Sequence, residues 1–461
     1  MRADVVVERA AARIEGPLVF LRRTLEVGLN EAVEVRGADG RARLGRIAAF
    51  DEQLITVEVL ESTSGLALGE VAARFSGQPL RFALGPGVLG RVYDGVGRVI
   101  DGGPPLAAHR ELPIEGAPAN PVARRVPRDF IETGVTAIDL MNSLVRGQKL
   151  PIFSGGGLPH DRMAVQIARH ARLRGGARAE DFAIVFAGIG LPYERAEYFR
   201  RSLEASGALE RSALFLNLAS DSSSQRLLTP RFALTAAEYL AAAEGKHVLV
   251  ILTDMTNYCE ALREVAGAKG EIPGRKGYPG YLYSDLATIY ERAGCLHDSR
   301  GTVTQMPILS MPADDIGHPI PDLTGYITEG QIVLSRELER TGVYPPVNVL
   351  ASLSRLAKDG TGKGYTHPDH PALASQLFAS YARAVQTRLL ASVVGEEGLS
   401  EADRSHLAFG GAFEREALSQ QAARSLEESM QAGWNALRGL PRAELTRLSD
   451  AQIDAHIAGA A

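Results

Sequence analysis

Cysteine is nearly absent: Cys259 and Cys295 are the only two in 461 residues. That is too few for a disulfide framework, and their spacing is not that of metal ligands, so both read as ordinary buried thiols in a reducing compartment. Long hydrophobic runs are missing too. Nowhere do the roughly 18 consecutive apolar residues of a spanning helix occur, and the N-terminal MRADVVVERAAARIEG mixes charges into a short apolar stretch, so any link to a membrane is expected to go through partners. An excess of one charge is likewise lacking. With 50 Lys and Arg against 55 Asp and Glu, a net charge of −5 and both signs mixed along the chain, there is no basic field for a phosphate backbone to find. Nucleic acid is not expected as a partner.

What is present suits several domains, since 461 residues exceed what one hydrophobic core serves. Up to about residue 78 the pattern alternates by two, as in Ile55-Thr56-Val57-Glu58-Val59, and Asp39-Gly40 sits between short runs as a hairpin turn does, which predicts a small all-β domain with a boundary near Gly77. Leu84-Gly85-Pro86-Gly87 and Glu115-Gly116-Ala117-Pro118-Ala119-Asn120-Pro121 read as surface connections. From about 130 to 350, strand-like runs (182–186, 213–218, 248–252, 303–309) alternate with helical patterns. One such pattern spans Ser284 to Arg292, with Ser284 as its cap and Leu286, Ile289 and Tyr290 on one face. That alternation predicts an α/β domain with a mostly parallel sheet. Beyond about 365, Ala, Leu, Glu and Arg dominate, with capping-box spacing at Ser425-x-x-Glu428 and a similar Ser400-x-x-Asp403, so the C-terminal hundred residues read as a helical bundle. The expected division is 1–77, 78–356 and 357–461.

Leu150 to Phe153 reads as a strand, Ser154-Gly155-Gly156-Gly157 as a tight glycine turn, and Asp161 to Leu173 as a helix with Met163, Ile167 and Ala171 one turn apart. Strand, glycine turn and helix form the frame of a phosphate-binding loop, although plain tight turns share it. Laid over G-x-x-x-x-G-K-[ST], residues 154–161 put Pro159 at the second glycine, His160 at the lysine and Asp161 at the hydroxyl residue. Proline removes an amide donor, a mostly neutral imidazole does not replace an ammonium, and Asp161 adds negative charge where phosphate would sit. Val248 to Asp254 resembles a strand ending in a magnesium-holding acid, but without the lysine and hydroxyl Asp254 reads better as a turn or helix cap. His160, too, reads better as a polar residue at a helix start than as a phosphate contact.

The stretches Phe130 to Asp139, Leu144 to His160, Leu252 to Glu264, Pro273 to Tyr281 and Pro321 to Gln331 resemble the head subunits of rotary ATPases across nearly the whole chain, and the degenerate turn at Gly155, Gly156, Gly157 and His160 is similar to that of the B-type chains of the V/A branch. The resemblance implies an N-terminal β-barrel, a central P-loop NTPase-like α/β domain and a C-terminal helical domain. Catalytic relatives place a water-aligning Glu after a Gly-x-Gly turn, whereas here Gly188-Ile189-Gly190 is followed by Leu191, which neither accepts a proton nor polarises water.

In Ser352-Leu353-Ser354-Arg355-Leu356 the resemblance places Arg355 at the arginine that such chains point across an interface, to ATP bound by a neighbour. Local sequence alone reads it as an arginine paired with a carboxylate. Tyr278, Tyr281 and Tyr326 are expected in Gly- and Pro-rich loops and are secondary candidates for an adenine pocket or for packing between subunits.

The implied role is a non-catalytic, regulatory subunit alternating with three catalytic A subunits. ATP or ADP with Mg would lie at the A–B interface, held mainly by the partner. Central-shaft partners of D and F type and peripheral-stalk partners of E and G type are implied, at the cytoplasmic face of a membrane and in service of ion transport. A self-sufficient ring ATPase would need the residues that Pro159, His160, Asp161 and Leu191 displace, and a purely structural spacer would tolerate any residue at 355.

Overall fold

The computed structural model describes residues 5–8, 11–116, 120–174 and 178–457; the middle of the expected connection, 117–119, and the Ala-rich end from 458 lie outside the described residues. The chain forms two compact units, Met1–Val122 with Ala183–Arg292 and Ala123–Phe182 with Ala293–Ala461.

In the first unit the period-two segment builds a seven-stranded sheet: β1 (Val5–Glu8), β2 (Ala11–Glu15), β3 (Leu18–Arg22), β4 (Glu31–Arg36), β5 (Ala42–Phe50), β6 (Leu54–Val59) and β7 (Ala72–Pro79), in the order β1-β7-β4-β5-β6-β3-β2. Its pairings are antiparallel, and it wraps a core that includes Val33, Val35, Ile47, Ile55, Val57 and Phe75. Each such side chain contributes about 1.5–3 kcal/mol by leaving water. Asp39-Gly40 forms the expected turn between β4 and β5: Gly40 takes φ 68°, and Asp39 Oδ1 accepts the Arg41 amide at 3.1 Å. Strand β7 continues to Pro79 and runs through Gly77, where the sequence suggested a boundary. The alternation fails at Glu58, which should face water and is 0 % exposed. Arg46 Nε lies 3.1 Å from its carboxylate, so an ion pair replaces the solvent there.

The same unit carries the strands His247–Thr253, Phe182–Leu191, Ser212–Leu218 and Arg91–Asp94, in that order, the last three paired in parallel. All residues of Phe182–Leu191 are buried, as expected of a strand covered on both faces. One helix begins earlier than its cap signal predicts. It spans Leu282–Tyr290 and starts at Tyr281, while Ser284 lies inside the first turn, where its hydroxyl donates to the Tyr281 carbonyl at 3.0 Å. Leu286, Ile289 and Tyr290 do form its buried face.

In the second unit, Leu353–Ser354, Gly330–Val333, Ile152–Gly155 and Thr302–Met311 lie side by side, and Ile152–Gly155 runs parallel to both of its neighbours. The helix after the glycine turn is shorter than its pattern, His160–His170. Ala171 turns to ψ 134°, and Arg172–Leu173 becomes a strand against Phe130–Glu132, so tertiary pairing overrides the helical period. Beyond residue 365 the unit is helical: His370–Val394, Glu401–Ala412, Leu426–Leu437 and Asp450–His456. Ser425 and Glu428 close a reciprocal capping box, and Ser400 accepts the Asp403 amide. The fold is thus an N-terminal barrel domain, a central α/β domain with mostly parallel strands and a C-terminal helical domain. Among the described residues no helix is long and apolar enough to cross a membrane.

Candidate functional site

The glycine turn leaves the strand Ile152–Gly155 and enters the helix His160–His170 through Pro159, whose φ/ψ of −80°/42° provides no side-chain cap. Gly157 needs its glycine, since φ is 79° there. In a phosphate cradle the amides of such a turn point at the ligand. Here the Leu158 amide donates to the Gly155 carbonyl at 3.2 Å and the His160 amide to the Leu158 carbonyl at 2.8 Å, so two of those donors are engaged within the loop. His160, only 6 % exposed, directs Nδ1 to Ser154 Oγ at 2.9 Å, and its Nε2 lies 3.5 Å from Asp161 Oδ1. Its ring is therefore engaged with the strand end and the helix start.

A second pair of residues meets the start of the turn at Gly155. The strand Thr302–Met311 lies beside Ile152–Gly155 with Met311 opposite Gly155, and the chain then turns through Ala313 and Asp314, both at φ 56°. A non-glycine residue in that region costs on the order of 1–2 kcal/mol. The turn aims Asp314 at the loop: a Cβ added at Gly155 would lie 2.1 Å from Asp314 Oδ1 and 2.8 Å from Arg336 Nη2. Arg336 holds the carboxylate with both prongs, Nε to Oδ2 at 2.8 Å and Nη2 to Oδ1 at 3.0 Å, while Nη2 also donates to the Gly156 carbonyl at 2.9 Å. That guanidinium keeps the Asp314 carboxyl below the usual range, and therefore charged. A carboxylate thus stands beside Gly155, and the motif's positions for ammonium and hydroxyl are held by His160 and Asp161. Sequence reading passed over both Asp314 and Arg336. No local motif marks them, and only the parallel register brings them to Gly155.

The aromatic residue beside the loop helix was also unforeseen. Tyr344 is 8 % exposed, its hydroxyl donates to Gln166 Oε1 at 3.3 Å, and Arg162 lies over its ring at 3.7 Å. Of the three tyrosines singled out by sequence, Tyr278 is buried, its hydroxyl donating to Glu260, and it does not present a ring to a ligand. Tyr281 is 40 % exposed, whereas Tyr326 is 73 % exposed on the helix Pro319–Ile327 rather than in a loop.

In the first unit, Gly188 to Gly190 do not form a separate turn but the irregular end of the strand Phe182–Leu191. Leu191 is fully buried and folds back over Gly188, and Gly190, at φ 62°, lies against Arg226 and donates its amide to Asn217 Oδ1 at 2.9 Å. Asp254 caps the helix Met255–Ala268, accepting the Thr256 amide at 2.8 Å.

Arg355 is built differently. The strand Leu353–Ser354 pairs with Gly330–Val333, and Gly330, at φ 136°, approaches so closely that a Cβ would lie 2.0 Å from the Leu353 carbonyl oxygen. Ser352 and Ser354 are buried anchors: the Ser352 hydroxyl accepts the Val333 amide at 2.9 Å, and the Ser354 hydroxyl donates to the Ser143 carbonyl at 2.8 Å. Alternation then turns Leu353 and Arg355 outward. The Arg355 amide donates to the Glu329 carbonyl at 2.9 Å, and its guanidinium, exposed, makes one contact of 3.3 Å to the Thr328 carbonyl. Glu329, the nearby acid, is engaged by Lys149 Nζ at 2.7 Å. Among the described residues no carboxylate pairs with Arg355, which disfavours the ion-paired alternative. Both cysteines are buried free thiols.

Known proteins bear on this geometry. The nucleotide-binding domain of the ATP synthase alpha/beta family matches residues 134–354, the beta-barrel domain of that family residues 12–74, and the C-terminal domain of V and A type ATP synthase residues 359–457. The chain is 54% identical over 445 residues to the B subunit of the A-type ATP synthase of Nitrosopumilus maritimus, covering 96% of each. It is 51% identical over 453 residues to the V-type ATP synthase beta chain of Halothermothrix orenii, covering 98% of this chain and 97% of that one. A solved structure, the ATP synthase subunit NeqB of Nanoarcheaum equitans, superposes with a TM-score of 0.74 at 37% identity, over 92% of this chain and 100% of that one. The chain therefore belongs to the ATP synthase alpha/beta family, among the B-type chains of its A- and V-type branch.

Proposed function

We propose that this chain is a non-catalytic, regulatory subunit of a rotary ATPase head, and that it acts by lending Arg355 to an ATP site held mainly by a neighbouring A subunit. The observation that carries the reading is a contrast of availability: the chain's own glycine turn is taken up by Asp314, while Arg355 sits on a tightly anchored strand with its guanidinium exposed. A guanidinium offers five donors in a rigid fork, stays charged at any working pH, and meets γ-phosphate oxygens as charge shifts in the transition state. Three such chains would alternate with three A subunits around a shaft of D- and F-type subunits, steadied by E- and G-type stalks. ATP or ADP with Mg would lie at the A–B interfaces, and the ring would work at the cytoplasmic face of a membrane, coupled to ion transport.

The test is Arg355→Lys in the reconstituted complex. Lysine keeps the charge and loses the fork, so the ring should assemble with normal stoichiometry while ATP turnover falls by about 10³-fold or more. Turnover unchanged by the substitution would mean a spacer role and end this reading.

A further inference from the structure

The glycine turn does not merely lack phosphate-binding groups; something stands in their ligand's place. We propose that Asp314 and Arg336 form an autoinhibitory latch over the loop, the Asp314 carboxylate taking the seat of a phosphoryl oxygen and Arg336 being spent on it. The latch deepens the proposed function and rests on its premise that this loop holds no nucleotide.

Four observations converge on it. The register that sets Met311 opposite Gly155 delivers Asp314 to the turn, and the two left-handed residues Ala313 and Asp314 aim the carboxylate inward. The carboxylate comes so close to Gly155 that a Cβ there would lie 2.1 Å from Asp314 Oδ1 and would have to push it aside. Arg336 bridges the ion pair to the Gly156 carbonyl, tying both partners to the loop itself. Finally, the Asp314 and Arg336 side chains remain 46% and 37% exposed, so the pair can open without disturbing a core. A carboxylate shares with phosphate the negative oxygens that a guanidinium recognises, and while it is seated, an arriving oxyanion meets a like charge and a cation already neutralised.

Removing the charge should convert the latch into its opposite. Asp314→Asn keeps the side-chain shape and tolerates the left-handed backbone, yet frees Arg336. In the full-length chain, hydrogen exchange at the Leu158 and His160 amides should quicken about threefold or more in both Asp314→Asn and Arg336→Gln, because each opens the latch. Inorganic pyrophosphate, followed by calorimetry, should bind Asp314→Asn at least about tenfold more tightly than the parent, and this gain should vanish in Arg336→Gln and in the double variant. The latch is overturned if Asp314→Asn exchanges like the parent, if it gains no pyrophosphate affinity, or if the double variant keeps that gain. Arg336→Gln decides the exchange arm alone should Asp314→Asn not fold. Tight ATP binding by the parent chain would instead overturn the dry-loop premise, a result separable from the others because it needs no variant.

Discussion

Two stretches of one unit, the turn Ser154–Asp161 and the segment Ser352–Leu356, handle their polar groups in opposite ways. In the turn, the backbone amides of Leu158 and His160, the His160 ring and the Gly155 surface are all engaged from within the protein. Around residue 355 the backbone and both serines are equally engaged, and the result is an arginine left over, exposed and, among the described residues, without a carboxylate. On the proposed reading, internal satisfaction leaves one place without binding capacity and the other with it. The difference lies in which group remains when the local hydrogen bonds are complete: a carboxylate held beside Gly155 in the turn, a projecting cation beyond the strand.

The contrast breaks most severely at Arg355. Truncation to alanine removes the cation altogether, and turnover of the assembled complex should drop by about 10³–10⁵-fold. Guanidinium ion added to the Arg355→Ala complex should restore part of that loss, since it supplies the same planar cation with the same donors; absence of any rescue, with assembly intact, would argue that the arginine acts through structure. Next in size comes the support beneath it. Gly330→Ala forces a Cβ to within 2.0 Å of the Leu353 carbonyl at a φ of 136°, which L-residues seldom adopt. The strand bearing Arg355 must shift, at a cost of about 2–4 kcal/mol read from urea unfolding, with a fall in complex turnover smaller than that of the arginine variants. A Gly330→Ala chain as stable as the parent would show that the close strand approach is not required.

Much of this was legible beforehand, and the reasons differ by region. Period-two alternation, the Asp39-Gly40 turn and the capping box at Ser425 are local signals whose causes lie within a few residues, and each appears where expected. The losses at Pro159, His160 and Asp161 were readable as chemistry because each position demands one kind of group. Signals that depend on a distant partner were not readable. Glu58 is buried because Arg46 on the next strand meets it, the loop helix stops at His170 because Arg172–Leu173 pairs with Phe130–Glu132, and Ser284 looked like a cap although its helix begins earlier. The same limit concealed Asp314 and Arg336, which lie some 160 to 180 residues from Gly155 in sequence and reach it through the parallel register and an ion pair. Arg355 lay between these cases. Its number came from the resemblance, while its exposure and its freedom from carboxylates came from the geometry.

The smallest expected effect sharpens the contrast most economically. In a working phosphate cradle the middle glycines are bare so that backbone can approach the ligand, and a methyl group there displaces phosphate. A Cβ added at Gly156 would meet no atom within 4 Å, and the backbone there is not left-handed. If the turn holds nothing, Gly156→Ala meets no obstacle: stability should stay within about 0.5 kcal/mol of the parent, and turnover of the complex should change less than about twofold. A marked loss of turnover on adding this one methyl group, with folding and assembly unchanged, would place a ligand in the turn during the cycle and erase the distinction between the two stretches. The adjacent Gly155 offers the internal control, because there the same methyl group does meet an occupant, the carboxylate of Asp314.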